Sequence, residues 1–329
     1  MLERSPLARL PDRALKYGLT ALAAAILVLI VYFFIRLVGE AAPAFEKEGV
    51  LGFTFGNDWN VSANKFGALP LLVGTLITSG LALNVGVPVA VATALYVTEL
   101  SPRRIRGPVT VLIELLAAVP SVVYGLWGIF FLAPKLQGAE QWVADRLSGV
   151  PFVGGGLVTI PNYFITGLVL AIMILPIVSA ISREVMSTVP GDHKEAALGL
   201  GATRWEMIRL AVLPYCRSGI TGAAMLGLGR AIGETIAVTI LIGDAPQLSG
   251  HLFGQGYSLA AVIANEFGEA QELHRNALFA AGLVLFVLTL LVNVGARVLV
   301  IRAARSKTPK RRASEFADNA TPASAALGA

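Results

Sequence analysis

Apolar stretches of about 20 or more residues recur along the chain, near 17–39, 69–97, 108–134, 158–182, 218–243 and 276–301, separated by polar segments. Each is long enough to cross a hydrocarbon layer about 30 Å thick as a helix, so the pattern predicts six membrane-spanning helices. One interruption, GDHKEAALGLGATRWEMIRLAVLP within 183–217, has a helical pattern of its own. Pro190-Gly191-Asp192 offers a start with Asp192 as N-cap, and Lys194–Leu200 reads as helix. Gly199 and Gly201 break or bend it, and 202–210 resumes with Met207, Ile208 and Leu210 on an apolar side. Pro214 is expected to close the segment before the next span. Two short helices about a glycine bend make a knob with Glu195 and Arg204 exposed. It is either an amphipathic connector lying on the membrane or a docking surface.

Lys and Arg flank the spans unevenly. With both termini on the cytoplasmic side, that side holds nineteen of the 26 basic residues and the opposite loops hold five. This is the positive-inside asymmetry, and it puts the knob in the cytoplasm. Arg36 and Arg230 fall within spans. The first span follows Arg4, Arg9, Arg13 and Lys16, and Ala42-Pro43-Ala44 resembles a cleavage site. Its apolar run exceeds the roughly 7–15 residues of a signal-peptide core, so it is expected to be retained. The expected organisation is a cytoplasmic segment 1–16, a six-span unit 17–302 whose core begins at 69, and a disordered cytoplasmic tail 303–329.

Composition agrees with that division. The chain is 55% hydrophobic and 14% charged, and its mean hydropathy is +0.71, whereas a soluble domain carries about a quarter charged residues. Cys216 is the single cysteine, so an intrachain disulfide framework is excluded and a small apolar packing role is expected. The basic residues flank spans and form no separate patch, which argues against nucleic acid as a partner. The sequence has no GxxxxGK[ST] phosphate loop. His193, His251 and His274 lack metal-site spacing, so no cofactor or metal is expected and the chain itself is not read as an enzyme.

Charge inside the membrane is costly, at least about 2.5–3.5 kcal/mol near mid-bilayer, and faces the protein interior or water. In SGITGAAMLGLGRAIGETIAVTILIG, Arg230 and Glu234 are spaced to share one helical face and pair. They are either a structural ion pair or a pathway-lining pair in which Arg230 meets an anion and Glu234 orients it. Gly222, Gly227, Gly229 and Gly233 allow close packing in the same span. Glu114 is a second pathway candidate, ranked lower because it lies near the cytoplasmic end. Pro120, Gly125, Asn84, Pro88 and Pro176 mark positions where helices can break.

Glu195-Ala196-Ala197, then Gly201, then Leu213-Pro214 resembles the EAA loop of ABC importer permeases, with Ala211 where that family often has Ile. The strings VPSVVYGLWG (119–128), LGRAIGETIAV (228–238) and AVIANEFGEA (261–270) resemble the PstC-type permeases of phosphate-specific importers, over nearly all of 59–302. The resemblance implies an all-α, type I ABC importer permease in the inner membrane of a bacterium, with a cytoplasmic coupling helix. Glu195, Ala196, Ala197, Gly201, Leu213 and Pro214 would dock an ABC ATPase, expected in two copies. A PstA-type sister permease and an extracytoplasmic phosphate-binding protein are the other implied partners, besides membrane lipid. Arg230 and Glu234 would take the family's phosphate-moving role. Two alternatives remain open: a permease for another oxyanion such as molybdate or sulfate, and a secondary transporter or channel using the Arg230–Glu234 pair as a relay.

Overall fold

The computed structural model describes residues 10–154 and 156–305; the first nine residues, Gly155 and the tail from 306 lie outside it, and with them Arg4, Arg9 and most of the tail expected to be disordered. Side chains are described for 14–154 and 156–298. The helices are α1 (Leu10–Glu48), α2 (Val50–Phe55), α3 (Leu69–Leu95), α4 (Arg103–Ala118), α5 (Ser121–Trp127), α6 (Ala133–Arg146) and α7 (Tyr163–Ser187), followed by α8 (Gly191–Gly199), α9 (Arg204–Met207), α10 (Leu213–Gly233), α11 (Ile236–Ile242), α12 (Leu259–Glu266) and α13 (Glu272–Arg305). A two-residue antiparallel ribbon, β1 (Trp59–Asn60) with β2 (Lys65–Phe66), is a strand pair that the sequence pattern did not reveal.

Among the described residues four helices are individually long and apolar enough to span, α1, α3, α7 and α13. The other two expected spans are bent. α4 and α5–α6 meet at 93°, and the run Arg204–Gly233 meets α11 at 63°. The first bend follows from Pro120, which has no N–H and forces Val119 into an extended conformation (φ −68°, ψ 126°). Pro88 and Pro176, by contrast, sit inside α3 and α7 without ending them. Both helices are packed on several sides, which holds their freed carbonyls in register.

The core is α3 against α7, with α10 packed on both. Small residues set the spacing: a Cβ on Gly86 would lie 2.9 Å from the Ala171 carbonyl oxygen, and one on Gly167 2.6 Å from Leu81 Cδ2. Of the four glycines expected to pack in α10, only Gly227 is pressed, at 2.7 Å from Val178; Gly222, Gly229 and Gly233 have open space. α1 lies outside this core and packs on α13, with Phe34 and Phe286 rings 5.3 Å apart. Its far end enters the core through Ala41 and Ala44, while its apolar side chains from Leu15 to Ile35 are exposed, as expected of a helix facing lipid. Arg36 is offset within that surface by Glu40, 3.1 Å away one turn on.

Candidate functional site

The two bends lie together. α5 docks on α11, and it does so through the glycines of the GLWG string: a Cβ on Gly125 would be 2.8 Å from Ile240 Cδ1 and 3.3 Å from Ala237 Cα, and one on Gly128 would be 2.8 Å from Leu241 Cδ2. The Tyr124 hydroxyl donates to the Leu116 carbonyl at 2.8 Å, adding to the long 3.4 Å bond which that carbonyl accepts from the Val119 amide at the end of α4. A cavity of about 270 Å³ opens beside this junction, lined by Glu114, Leu116, Tyr124, Met173, Pro176 and Arg230 among others.

Arg230 occupies the last turn of α10, where the unpaired carbonyls favour a cation. The expected pairing with Glu234 is not formed. α10 ends at Gly233, and Glu234 is extended (φ −68°, ψ 128°), so the two residues no longer share a helical face. Four-residue spacing brings side chains together only while the helix continues, and here it stops one residue too soon. Among the described residues Arg230 is in no salt bridge. Its neighbour across the cavity is instead Glu114, the residue ranked lower from sequence. Glu114 is 62% exposed and is met at 3.6 Å by Arg183, which also donates to Thr110 Oγ1 at 2.6 Å. In sequence Arg183 reads only as a flanking charge, because α5, α6 and most of α7 separate it from its partners on α4. Glu114 is therefore partly neutralised from behind, and the Arg230 guanidinium is left exposed and uncompensated.

The knob is the second feature. Asp192 is not the N-cap expected: α8 starts at Gly191 after Pro190, with Asp192 in its first turn, where a carboxylate still favours the helix dipole. Gly201 has φ +87° with nothing within 4 Å of a built Cβ, so its requirement is conformational. The Ala202 amide bonds back to Ala197 O at 3.1 Å and the Gly201 amide to Leu198 O at 3.0 Å, which closes α8 in a Schellman turn. Thr203 caps α9, and its own amide and hydroxyl both donate to Glu206 Oε2 at 2.8 Å. The Thr203-x-x-Glu206 spacing is the sequence signal of this capping box.

Pro214 does not close the segment. α9 passes through a π-helical turn at Ile208–Val212 straight into α10, with Pro214 in the first turn where its missing N–H costs nothing. The knob is therefore continuous with the helix that carries Arg230. Glu195, Ala196 and Gly201 are exposed, while Ala197 and Leu213 pack on a small core of Ala94, Leu95, Met186, Met207, Ile208 and Cys216. Ala196, Ala197, Ala211 and Pro214 line a groove of about 500 Å³, with Leu210 68% exposed beside it and Leu200 90% exposed at the α8 end. Lys194 ties α8 to Glu99, at the end of α3, by a 2.7 Å salt bridge.

Two bent spans around a core pair, joined by a polar helical knob to the bend that bears a free arginine, define a transport permease of the ABC importer class. Two solved structures share the fold: a bacterial ABC transporter involved in the import of the acidic polysaccharide alginate (TM-score 0.59, 18% identity, 89% of this chain and 98% of that one), and a bacterial alginate ABC transporter in complex with a periplasmic protein bound to an alginate pentasaccharide (TM-score 0.61, 20% identity, 90% and 98%). The family model of binding-protein-dependent transport system inner membrane components matches residues 86–305, and the chain belongs to that family. Its relatives include phosphate transport system permease proteins PstC of Xylella fastidiosa (41% identical, 90% of this chain and 92% of that one), Mesorhizobium japonicum (43%, 86% and 88%) and Pasteurella multocida (44%, 81% and 85%).

Proposed function

We propose that this chain is the permease subunit through which an ATP-driven importer carries inorganic phosphate into the cytoplasm, with Arg230 as the pathway cation and Glu114 as its counter-charge. The observation that carries the reading is Arg230 itself: a forked, unpaired guanidinium exposed to a cavity at the junction of two broken spans. A guanidinium presents donors in a geometry suited to tetrahedral oxyanions. The PstC-type relatives, each matched over more than four-fifths of both chains, support phosphate over sulfate or molybdate. Glu234 then acts through the bend, as the extended residue on which α10 gives way to α11, and is not the guanidinium's partner.

In this reading the membrane unit is 17–302, and both flanking segments and the knob are cytoplasmic, in keeping with the basic-residue asymmetry. The exposed Glu195, Ala196 and Gly201, with the groove beside Ala197, Leu213 and Pro214, receive a separate ATPase. A PstA-type sister permease covers the open face carrying Arg230 and Glu114, and a phosphate-binding protein delivers the anion from outside. Movement of the ATPase displaces α8–α9, and the unbroken run from Arg204 to Gly233 carries that displacement to Arg230. The continuity of knob and pathway helix favours this over a secondary transporter, which has no use for the knob.

One experiment with two arms tests the reading. Phosphate uptake and ATPase co-purification are measured for Arg230→Ala and Gly201→Val. Arg230→Ala should assemble with the ATPase and lose uptake; Gly201→Val, with a β-branched residue at φ +87°, should lose the ATPase. Normal uptake by Arg230→Ala refutes the pathway role, and undiminished ATPase recovery with Gly201→Val refutes the docking role.

A further inference from the structure

One turn along α7 from the Arg230 cavity lies a second cavity of about 340 Å³, lined by Arg106, Thr110, Ala180, Arg183, Glu184 and Ser187 among others. Ala180 lines both cavities, and Arg183 reaches from the second to Glu114 in the first. Two arginine side chains therefore line one cavity, otherwise mostly apolar in its exposed wall, on the knob side of Arg230.

Their hydrogen bonding is incomplete. The Arg183 side chain is 16% exposed and gives one nitrogen to Thr110, at 2.6 Å, while its Nε–H is buried with no partner. A buried donor left unmade is costly. Its distance to Glu114, 3.6 Å, is too long for a hydrogen bond, so the carboxylate supplies charge without filling the donor. Arg106 donates once, to the Thr98 carbonyl at 2.7 Å, which leaves most of its fork unused in a single protein contact. The Thr110 hydroxyl, which accepts from Arg183, adds its own proton as a donor, while the Ser187 hydroxyl is already given to the Glu184 carbonyl at 2.7 Å; the Glu184 carboxylate at the rim limits how tightly an anion is held.

We propose that Arg106 and Arg183 form a second oxyanion station, which takes inorganic phosphate as it leaves the Arg230 cavity toward the knob end. The proposal rests on the phosphate reading above. A tetrahedral oxyanion supplies acceptors to the Arg106 fork and to the part of the Arg183 guanidinium that lines the cavity at once. Passage through a membrane protein requires sites that are occupied and then vacated, and two cationic stations in series, each with a carboxylate on its cavity wall, meet that need. The same chemistry would fit a lipid phosphodiester headgroup; the shared Ala180, which sets this cavity directly beside the first, favours free phosphate.

The test is equilibrium binding of radiolabelled inorganic phosphate to the assembled importer in maltoside detergent, without binding protein. Arg230→Ala should keep a weak phosphate site, and Arg230→Ala with Arg183→Gln should weaken it about tenfold or more. Arg106→Gln in the Arg230→Ala background alters an exposed side chain, and should weaken the same binding without lowering thermal stability. Added phosphatidylglycerol should leave phosphate binding unchanged. Equal binding by the double variant and Arg230→Ala, loss of all binding in Arg230→Ala, no effect of Arg106→Gln, or competition by phosphatidylglycerol each overturns the proposal. The outcome is separable from the pathway reading, since failure there appears in uptake by Arg230→Ala and failure here appears only in binding.

Discussion

Lys194→Met separates the knob from the core beneath it in a measurable way. The Lys194 Nζ lies 2.7 Å from Glu99 Oε1; the side chains are 23% and 7% exposed. Methionine keeps the stem and removes the charge, so Glu99 is left nearly buried without its cation. Breaking a fully buried pair from one side costs about 3–5 kcal/mol. The partial exposure of Lys194 reduces that to about 2–3 kcal/mol. The cost falls on the contact between α8 and the end of α3, which covers the small core of Met207, Ile208, Val212 and Cys216. Cys216 is the one cysteine in the chain and is fully buried, so it reacts with a maleimide only when that core opens. At 1.4 kcal/mol per decade, a penalty of about 2–3 kcal/mol raises the open population, and hence the labelling rate, about 30- to 150-fold. Lys194→Met with Glu99→Gln removes the stranded charge and should return most of the way to the native rate. The reasoning fails if Lys194→Met labels at the native rate, or if the double variant labels as fast as the single one.

Two further outcomes follow from particular contacts. Gly125→Ala places a methyl 2.8 Å from Ile240 Cδ1 and 3.3 Å from the Ala237 backbone, whereas Gly138→Ala enters open space. Overpacking should cost about 1–3 kcal/mol in the first case only, read as a lower thermal midpoint in detergent; equal midpoints would show that α5 does not dock tightly on α11. Burial raises the Asp244 carboxyl above its ordinary value, with the Asn265 amide opposing and Glu266 adding to the rise. A raised acid binds its proton more tightly when folded, so stability falls as pH climbs from the ordinary carboxylate range, about 3.9, through the folded value. Asp244→Asn should therefore stabilise the protein at neutral pH and change little at pH about 3 in denaturant titrations. A gain of equal size at both pH values contradicts the assignment.

The sequence by itself determined the helical, multispanning class and the existence of the knob, because both rest on local pattern: runs of apolar residues, and a charged helical stretch with Gly201 at its turn. It also singled out Arg230, since a cation in an apolar run stands out without any knowledge of its neighbours. The tertiary structure decided what that cation faces. Four-residue spacing pointed to Glu234, but the helix ends at Gly233, and a helix end inside an apolar run leaves little mark in composition. Glu114 and Arg183 come together across 68 intervening residues only because α4 packs on α7 after the chain turns back beyond Pro120. The Lys194–Glu99 tie is of the same kind, joining α8 to the end of α3. Periodicity speaks for contacts one helical turn apart; contacts between helices depend on where each one bends and which small residues let it close on its neighbour.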